Sequence, residues 1–233
     1  EEEESALVGA RLEESREWVI DIYRKHQKVL TASWLDKVLG DGRREKAYIP
    51  PIMLDTNPIR HRQSIQEQVF PAPRIIHEDL LMTDHMKIML EADCGMGKTT
   101  FLKYYQERLL KKKPHPVYPL PIYFDLGSLP EGSGINQLME SVHREMLNVV
   151  LAEAQESTEL ELDEELLLVT IKNLEREGRI IFLLDSLDQL PAEDRFQVYL
   201  ETFVEDKTFR SNRLILASRK FSFGPLATDS ISR

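Results

Sequence analysis

A short apolar segment that runs into a glycine-containing turn and then into a helix constrains this chain most. Lys87–Glu91 has the apolar character of a strand, and the pattern of Thr99–Lys113 predicts a helix whose basic end suits the helix dipole. Residues 92–100 between them read ADCGMGKTT, which meets the pattern G-x-x-x-x-G-K-[ST] except that Ala92 replaces the first glycine. This order predicts a phosphate-binding loop (P-loop) between a strand and a helix.

The residue types in the loop suit a polyphosphate. Gly95 and Gly97 permit backbone conformations that turn N–H groups inward as an anion nest, and the following helix adds its positive end. We expect Lys98 to reach the β- and γ-phosphates and the Thr99 hydroxyl to bind Mg²⁺. Cys94 is expected to be a small loop residue without a catalytic task. The predicted ligand is ATP or ADP with Mg²⁺, bound by these residues: Asp93, Cys94, Gly95, Met96, Gly97, Lys98, Thr99 and Thr100.

Strand and helix patterns alternate after the loop. The repeated β-turn-α order predicts an α/β fold in which a parallel sheet is flanked by helices. Gly178 is a suitable residue to end one of the helices, and Pro191 is a suitable residue to open another. The predicted elements are strands at Ile122–Leu126, Arg179–Leu184 and Arg213–Ser218, and helices at Ile135–Ala154, at Asp163–Glu177 and after Pro191.

The N-terminal part of the chain has a different composition. Apolar residues recur at helical spacing over Ser5–Leu39, which predicts a small helical appendage packed on the core. Prolines then interrupt the pattern between Asp41 and Pro73 and indicate an extended linker. We therefore predict a helical segment at 1–42, a linker at 43–78 and the nucleotide-binding core at 79–233.

Charge and cysteine content narrow the functional classes. The chain has a formal net charge of −10 and no clustered surplus of Lys and Arg, so nucleic acid is not an expected partner. The single cysteine, Cys94, excludes an intrachain disulfide framework and favours a reducing compartment, so we expect a cytoplasmic protein. Apolar runs such as Ile180–Leu184 are too short to span a bilayer, and the six histidines lack metal-ligand spacing.

Two acids follow the predicted strand at Arg179–Leu184. Ligands of parallel α/β sheets bind outside the carboxyl ends of the strands, where Asp185 emerges, so we expect its carboxylate to hold a water of the Mg²⁺ shell. Asp188 is a candidate to polarise the attacking water. An alternative for both acids is that they cap the turn before the helix that Pro191 opens.

Arg219 follows the last predicted strand, Arg213–Ser218. A guanidinium at the carboxyl end of a buried strand can meet the γ-phosphate or the charge that develops during its transfer. The alternative is a solvated arginine at the strand terminus. Arg219 joins Asp188 as a candidate catalytic residue.

Four segments together resemble the NACHT class of STAND signal-transduction NTPases, found in innate immune receptors and bacterial antiviral defence proteins. The resemblance covers about Tyr48–Phe223 and rests on IMLEADCGMGKTTFLKYY, PIYFDLGSL, RIIFLLDSLDQL and NRLILASRKF. It implies an ASCE-type sheet, with the sensor strand between the Walker A and Walker B strands. It also implies that Lys98 binds phosphates, that Thr99 and Asp185 bind Mg²⁺, and that Arg219 is the sensor arginine. The Tyr48–Pro51 segment resembles the family's adenine-contacting stretch, although a plain linker explains it equally well.

The chain departs from the family pattern after the Walker B strand. Family members commonly show D-G-x-D-E, whereas this chain has DSLDQ at 185–189. Gln189 cannot act as a general base, so we expect hydrolysis to be slow or to depend on Asp188 alone. We expect the family's helical and winged-helix regions to lie beyond Arg233, in a longer receptor of which these residues are a part.

The resemblance implies a regulatory switch in which ADP holds a closed form and ATP favours an open form that oligomerises. Homo-oligomerisation and protein signalling partners are therefore expected. The alternatives are an actively hydrolysing AAA+-like ATPase and a nucleotide-binding scaffold without turnover. A GTPase is disfavoured because an N-K-x-D segment is missing, and a small-molecule kinase because no arginine-rich lid is evident.

Overall fold

A sheet of four parallel strands forms the centre of the fold in a computed structural model, which describes residues 2–40, 87–132, 134–157, 163–199 and 211–219. The strand order is β1-β4-β3-β2, so β4 lies between β1 and β3, as the resemblance predicts for a sensor strand between the Walker A and Walker B strands. All three strand pairs are parallel, which confirms the predicted α/β fold class. The strands are β1 (Lys87–Glu91), β2 (Leu120–Asp125), β3 (Ile180–Asp185) and β4 (Arg213–Ser218).

Helices cover both faces of this sheet. Every residue of β3 and β4 is buried, as expected for apolar strands in a sheet with two covered faces. None of the helices in the described part of the chain combines the length and apolar character that a bilayer span requires. The helices are α1 (Glu2–Leu39), α2 (Lys98–Lys111), α3 (Ile135–Ser157), α4 (Glu164–Arg176) and α5 (Ala192–Tyr199).

The start of β2 differs from the prediction. The prolines of this segment predict a start at Ile122, because proline cannot donate ladder hydrogen bonds, but β2 begins at Leu120 and pairs Pro121 with Ile181. Among the described strands, β2 is an edge of the sheet, so a proline is tolerated there. The carbonyl of Pro121 also accepts a hydrogen bond from Gln106 Nε2 of α2, at 3.1 Å.

The ends of α4 follow the signals in the sequence closely. The Asp163 side chain accepts hydrogen bonds from the backbone N–H groups of Glu165 and Leu166, so Asp163 caps α4 instead of forming its first turn. At the other end, Gly178 takes the left-handed backbone conformation with φ 74°, as a C′ glycine does. Three residues, 177–179, separate the end of α4 from the start of β3.

The N-terminal helix α1 is an integral part of the packing. Val19, Ile20 and Tyr23 are buried in the main hydrophobic cluster with residues of the sheet. The buried Arg24 donates hydrogen bonds to the carbonyl of Pro119 at 2.6 Å and to three carbonyls at the end of α2. The predicted helical segment therefore packs on the core and also supplies hydrogen bonds to the helix that follows the P-loop.

Several predictions fall outside the described residues. These are the linker 43–78, the possible adenine contact at Tyr48–Pro51 and the C-terminal part of the core beyond Arg219. The boundaries at 1–42, 43–78 and 79–233 stay predictions.

Candidate functional site

The P-loop connects the carboxyl end of β1 to α2. Gly95 and Gly97 have φ 76° and 78°, in the left-handed region that glycine adopts without steric cost, and Gly97 is the N-cap residue of α2. A Cβ added to either glycine would meet no atom within 4 Å apart from its chain neighbours, so the space beside both glycines is open. The loop residues Asp93, Cys94 and Met96 are exposed. They are therefore accessible to a ligand above the amino end of α2.

Lys98 bends back over the loop from which it emerges. Its Nζ donates hydrogen bonds to the carbonyl oxygens of Ala92 at 2.8 Å and Asp93 at 3.1 Å. The backbone N–H of Ala92 donates to the Ser218 carbonyl at the end of β4. The lysine ammonium thus lies at the carboxyl edge of the sheet. A polyphosphate can replace its two carbonyl partners with stronger, charge-assisted ones.

Thr99 and Thr100 occupy the first turn of α2 and are half-buried. Their position at the amino end of the helix is the place where the helix dipole favours an anion. The Thr99 hydroxyl is a hard oxygen donor at this position.

Asp185 ends β3 with its side chain almost completely buried, at 2% exposure. Its Oδ1 accepts a hydrogen bond from the Ser186 backbone N–H at 2.8 Å, and its Oδ2 accepts one from Tyr123 Oη at 3.2 Å. Each carboxylate oxygen keeps further acceptor capacity beside these bonds. The carboxylate is therefore held in a defined orientation and retains lone pairs for another ligand.

Ser186 carries local backbone strain next to this acid. It has φ 61°, which makes it the one described residue other than glycine with a positive φ. Glycine commonly occupies this position in the family pattern D-G-x-D-E, and a side chain there costs about 1 kcal/mol. Ser186 therefore holds a backbone conformation that glycine would adopt without this cost in stability.

Asp188 and Arg219 are brought together although they follow different strands. Arg219 Nε lies 2.8 Å from Asp188 Oδ2, and the Arg219 backbone N–H donates to Asp188 Oδ1 at 3.1 Å. The Asp188 side chain is 11% exposed, whereas that of Arg219 is 54% exposed. These bonds join the end of β3 to the end of β4. Arg219 is consequently anchored on one side and open to solvent on the other.

Gln189 points toward the end of β2. Its side-chain amide lies against Gly127, where a Cβ would overlap with Gln189 Oε1. The Gly127 backbone N–H donates to Asp125, the residue that pairs with Asp185 in the β2–β3 register. The amide therefore connects the short 3₁₀ turns that follow β2 and β3.

Sequence reasoning did not identify two residues beside Asp185, namely Tyr123 and Lys103. Lys103 Nζ lies 3.4 Å from the centroid of the Tyr123 ring, a close cation–π contact. Burial lowers the pKa of Lys103 to about 8, although the nearby carboxylates of Glu145, Asp185 and Asp125 oppose this shift. Two spacings in the sequence could have identified these residues. Lys103 lies one helical turn after Thr99, and Tyr123 shares a strand face with Asp125.

Burial also raises the pKa of Tyr123 well above its usual value, and the charges of Asp185 and Asp125 raise it further. The phenol is therefore neutral over the physiological range and keeps its proton for the hydrogen bond to Asp185. Tyr123 acts as a donor to this carboxylate.

The donor chemistry of the site fits Mg²⁺. Within the described ranges, no group of three or more His, Cys, Asp or Glu side chains forms a metal cluster. Nucleotide-bound Mg²⁺ needs no such cluster, since it takes one or two protein oxygens together with phosphates and water. Thr99 and Asp185 supply oxygens of this kind at the ends of adjoining elements. Magnesium would supply charge neutralisation at the phosphates.

The comparison with protein families agrees with this geometry. The profile of the NACHT domain matches residues 87–227, more than half of the chain, and the match includes β1, the P-loop, β3 and β4. None of the curated proteins matches the sequence significantly. The all-parallel sheet with β4 between β1 and β3 is consistent with the P-loop NTPase fold of such a domain. The chain belongs to the NACHT domain family, whose members are nucleotide-binding P-loop NTPases.

Proposed function

We propose that this NACHT domain is a regulatory switch that binds ATP or ADP with Mg²⁺ and hydrolyses ATP slowly. One observation carries the proposal. The P-loop with Lys98, the Asp185 carboxylate and the Asp188–Arg219 pair all lie at the carboxyl ends of neighbouring parallel strands. Ligands of open α/β sheets bind at this edge.

Phosphate binding is assigned to the loop from Asp93 to Thr100. The left-handed glycines Gly95 and Gly97 shape it, and the amino end of α2 adds a partial positive charge. Lys98 exchanges its bonds to the Ala92 and Asp93 carbonyls for bonds to phosphate oxygens. Thr99 and Asp185 are the residues that would hold Mg²⁺.

The hydrolytic role falls to Asp188, with Arg219 facing the γ-phosphate. Both oxygens of Asp188 contact Arg219, one through the guanidinium Nε and the other through the backbone N–H. Gln189, next in sequence, carries no charge and cannot accept a proton as a base. Slow turnover is the expected consequence, because the base must first be released from Arg219.

The pair also provides a physical basis for switching. A γ-phosphate competes with Asp188 for the Arg219 guanidinium, whereas ADP lacks the group that would do so. We propose that this exchange favours an open form that homo-oligomerises, with protein signalling partners bound through other domains. From the resemblance to NACHT receptors, we infer cytoplasmic innate immune or antiviral defence signalling.

A test combines phosphate release with light-scattering mass measurements in Mg²⁺-ATP, Mg²⁺-ADP and a non-hydrolysable ATP analogue. The switch predicts turnover far below the roughly 10 s⁻¹ of a typical enzyme. It also predicts a larger mass with the analogue than with ADP. Fast turnover would favour the AAA+-like ATPase, and nucleotide binding with neither turnover nor a mass change would favour the scaffold.

A further inference from the structure

The Asp185 carboxylate is oriented from two sides. The Ser186 backbone N–H donates to Oδ1 at 2.8 Å, and Tyr123 Oη donates to Oδ2 at 3.2 Å. The Ser186 donor is a backbone group, so a side-chain substitution does not remove it. The Tyr123 donor is a side-chain hydroxyl from the neighbouring strand β2, so a substitution of this one residue changes how the carboxylate is oriented.

Tyr123 is itself held from the α2 side. It packs against the apolar cluster formed by α2 and the sheet, and the Lys103 ammonium lies over its ring at 3.4 Å from the centroid. A cation over an aromatic face is attracted by the ring quadrupole, more strongly when both groups are shielded from water. Lys103 lies four residues after Thr99, so the same helix carries the candidate metal hydroxyl and the contact to Tyr123.

We propose that Tyr123 is a positioning residue for Asp185, braced by Lys103, and that the two together determine how strongly Mg²⁺ enhances nucleotide binding. This inference rests on the proposed function, in which Asp185 and Thr99 hold the Mg²⁺ of the nucleotide. The chain Lys103–Tyr123–Asp185 then links α2 to the end of β3 through side chains alone.

The physical reason is the loss of orientation when the phenol is removed. Without Tyr123 Oη, the Ser186 N–H is the remaining hydrogen-bond donor to the carboxylate within the described part of the chain, and Oδ2 is less firmly oriented. When a metal-binding side chain loses a hydrogen-bond partner that orients it, metal affinity commonly falls by about tenfold or more. Nucleotide phosphates bound without metal are unaffected, because the P-loop and not Tyr123 contacts them.

The experiment measures the nucleotide dissociation constant of a fluorescent ADP analogue in Mg²⁺ and in EDTA. The readout is the ratio of the two constants, the magnesium enhancement. Tyr123→Phe keeps the ring and its contact with Lys103 but removes the hydroxyl. We expect the enhancement to fall about tenfold or more, as for the loss of a hydrogen bond that orients a metal ligand, with an unchanged constant in EDTA. Mn²⁺ binding in the presence of ADP, followed by electron paramagnetic resonance, should weaken in parallel.

A matched control is Tyr105→Phe, which removes a buried tyrosine hydroxyl on α2, the helix that also carries Lys103. The Tyr105 hydroxyl lies in the field of Arg213, at the opposite end of the strands from Asp185. Its loss should leave the magnesium enhancement at the wild-type value. An equal fall in both variants would overturn the inference, since it would reflect general loosening of this face.

The bracing role of Lys103 is tested by a double-mutant cycle. Lys103→Met removes the cation while keeping much of the length of the side chain, and Lys103→Arg restores a cation that can lie over the ring. We expect Lys103→Met to lower the enhancement more in the wild-type background than in Tyr123→Phe, and Lys103→Arg to keep it. An effect of Lys103→Met that is equal in both backgrounds would overturn the bracing.

The outcomes separate this inference from the function on which it rests. If the wild type binds the nucleotide with a magnesium enhancement that Tyr123→Phe retains in full, the inference is wrong and the proposed function stands. If the wild type binds no nucleotide with or without Mg²⁺, both are overturned. Thermal unfolding of each variant checks that the protein used in the titrations is folded.

Discussion

Arg219 and Asp188 bind each other through two contacts, Nε to Oδ2 at 2.8 Å and backbone N–H to Oδ1 at 3.1 Å. They are the two residues proposed to act on the γ-phosphate and the attacking water, and they come from the ends of different strands. In this arrangement each neutralises part of the other's charge. A γ-phosphate therefore has to compete for the guanidinium, which gives the site a means of distinguishing ATP from ADP.

The first prediction concerns Asp188→Asn. The amide keeps an acceptor for the Arg219 backbone N–H but carries no charge and cannot take a proton. We expect nucleotide affinity to be retained and phosphate release to slow by about a hundredfold, the smaller end of a general base's contribution. Phosphate release under single-turnover conditions measures this. Equal turnover by the variant would assign the carboxylate a structural role.

The second prediction concerns the strained residue Ser186, whose φ is 61°. Ser186→Gly removes the side chain from a left-handed position and should raise the free energy of unfolding by about 0.5–1 kcal/mol. Urea denaturation measures the change. Ser186→Ala is the matched control, since it removes the hydroxyl but keeps the Cβ. It should not raise the free energy of unfolding. A gain of the same size from alanine would contradict the assignment of strain.

The third prediction concerns Arg24, which donates four hydrogen bonds to the carbonyls of Pro119, Leu109, Leu110 and Lys112. Arg24→Met should lower the free energy of unfolding by about 2–4 kcal/mol, because it leaves carbonyls at the end of α2 without these donors. Urea denaturation again provides the measurement.

Arg16 on the same helix offers the control for Arg24. It forms an ion pair with the exposed Glu177, and such pairs contribute about 0–1 kcal/mol. Arg16→Met should therefore lower the free energy of unfolding much less than Arg24→Met does. Equal losses would show that the two contacts are energetically alike and that Arg24 has no special role at the end of α2.

The fourth prediction is a pH dependence from Lys103. Burial lowers its pKa from 10.5 to about 8, so between these values the unfolded chain binds a proton that the folded protein has released. The unfolded state then binds more protons, and the contribution of Lys103 to stability must rise with pH across this window. Below the window the lysine is charged in both states and its contribution no longer changes with pH.

Unfolding free energies between pH 8 and 10, in EDTA and without nucleotide, test this prediction. The stability of the wild type relative to Lys103→Met should increase over the interval. It should increase in the same way relative to Lys103→Arg, because arginine stays charged throughout. If the difference in unfolding free energy between the wild type and each variant were the same at every pH, the lowered pKa of Lys103 would be contradicted.

Much of the fold was predictable because local patterns and tertiary structure agree. The bounds of β1 and β4 match the apolar runs in the sequence, and Gly178 follows α4 as expected. The strand order was predicted from the family resemblance, not from the residues themselves. The start of β2 was missed because the cost of Pro121 depends on whether its strand is at an edge, which local sequence does not determine.

The candidate site was predictable in its residues and not in their contacts. The P-loop and Asp185 follow from glycine spacing and strand ends. The pairing of Asp188 with Arg219 and of Lys103 with Tyr123 joins residues from different elements, whose distances depend on the sheet order and helix packing. Each of these side chains alone is compatible with a solvated surface position.

Isothermal titration calorimetry of Mg²⁺-ATP with the wild type and with Lys98→Ala tests directly whether the P-loop binds the nucleotide. We expect one nucleotide per wild-type chain and loss of measurable binding by Lys98→Ala. We also expect wild-type affinity for Lys113→Ala, which removes an exposed lysine beyond the far end of the same helix. Unchanged affinity of Lys98→Ala, or a wild type that binds no nucleotide, would contradict this expectation.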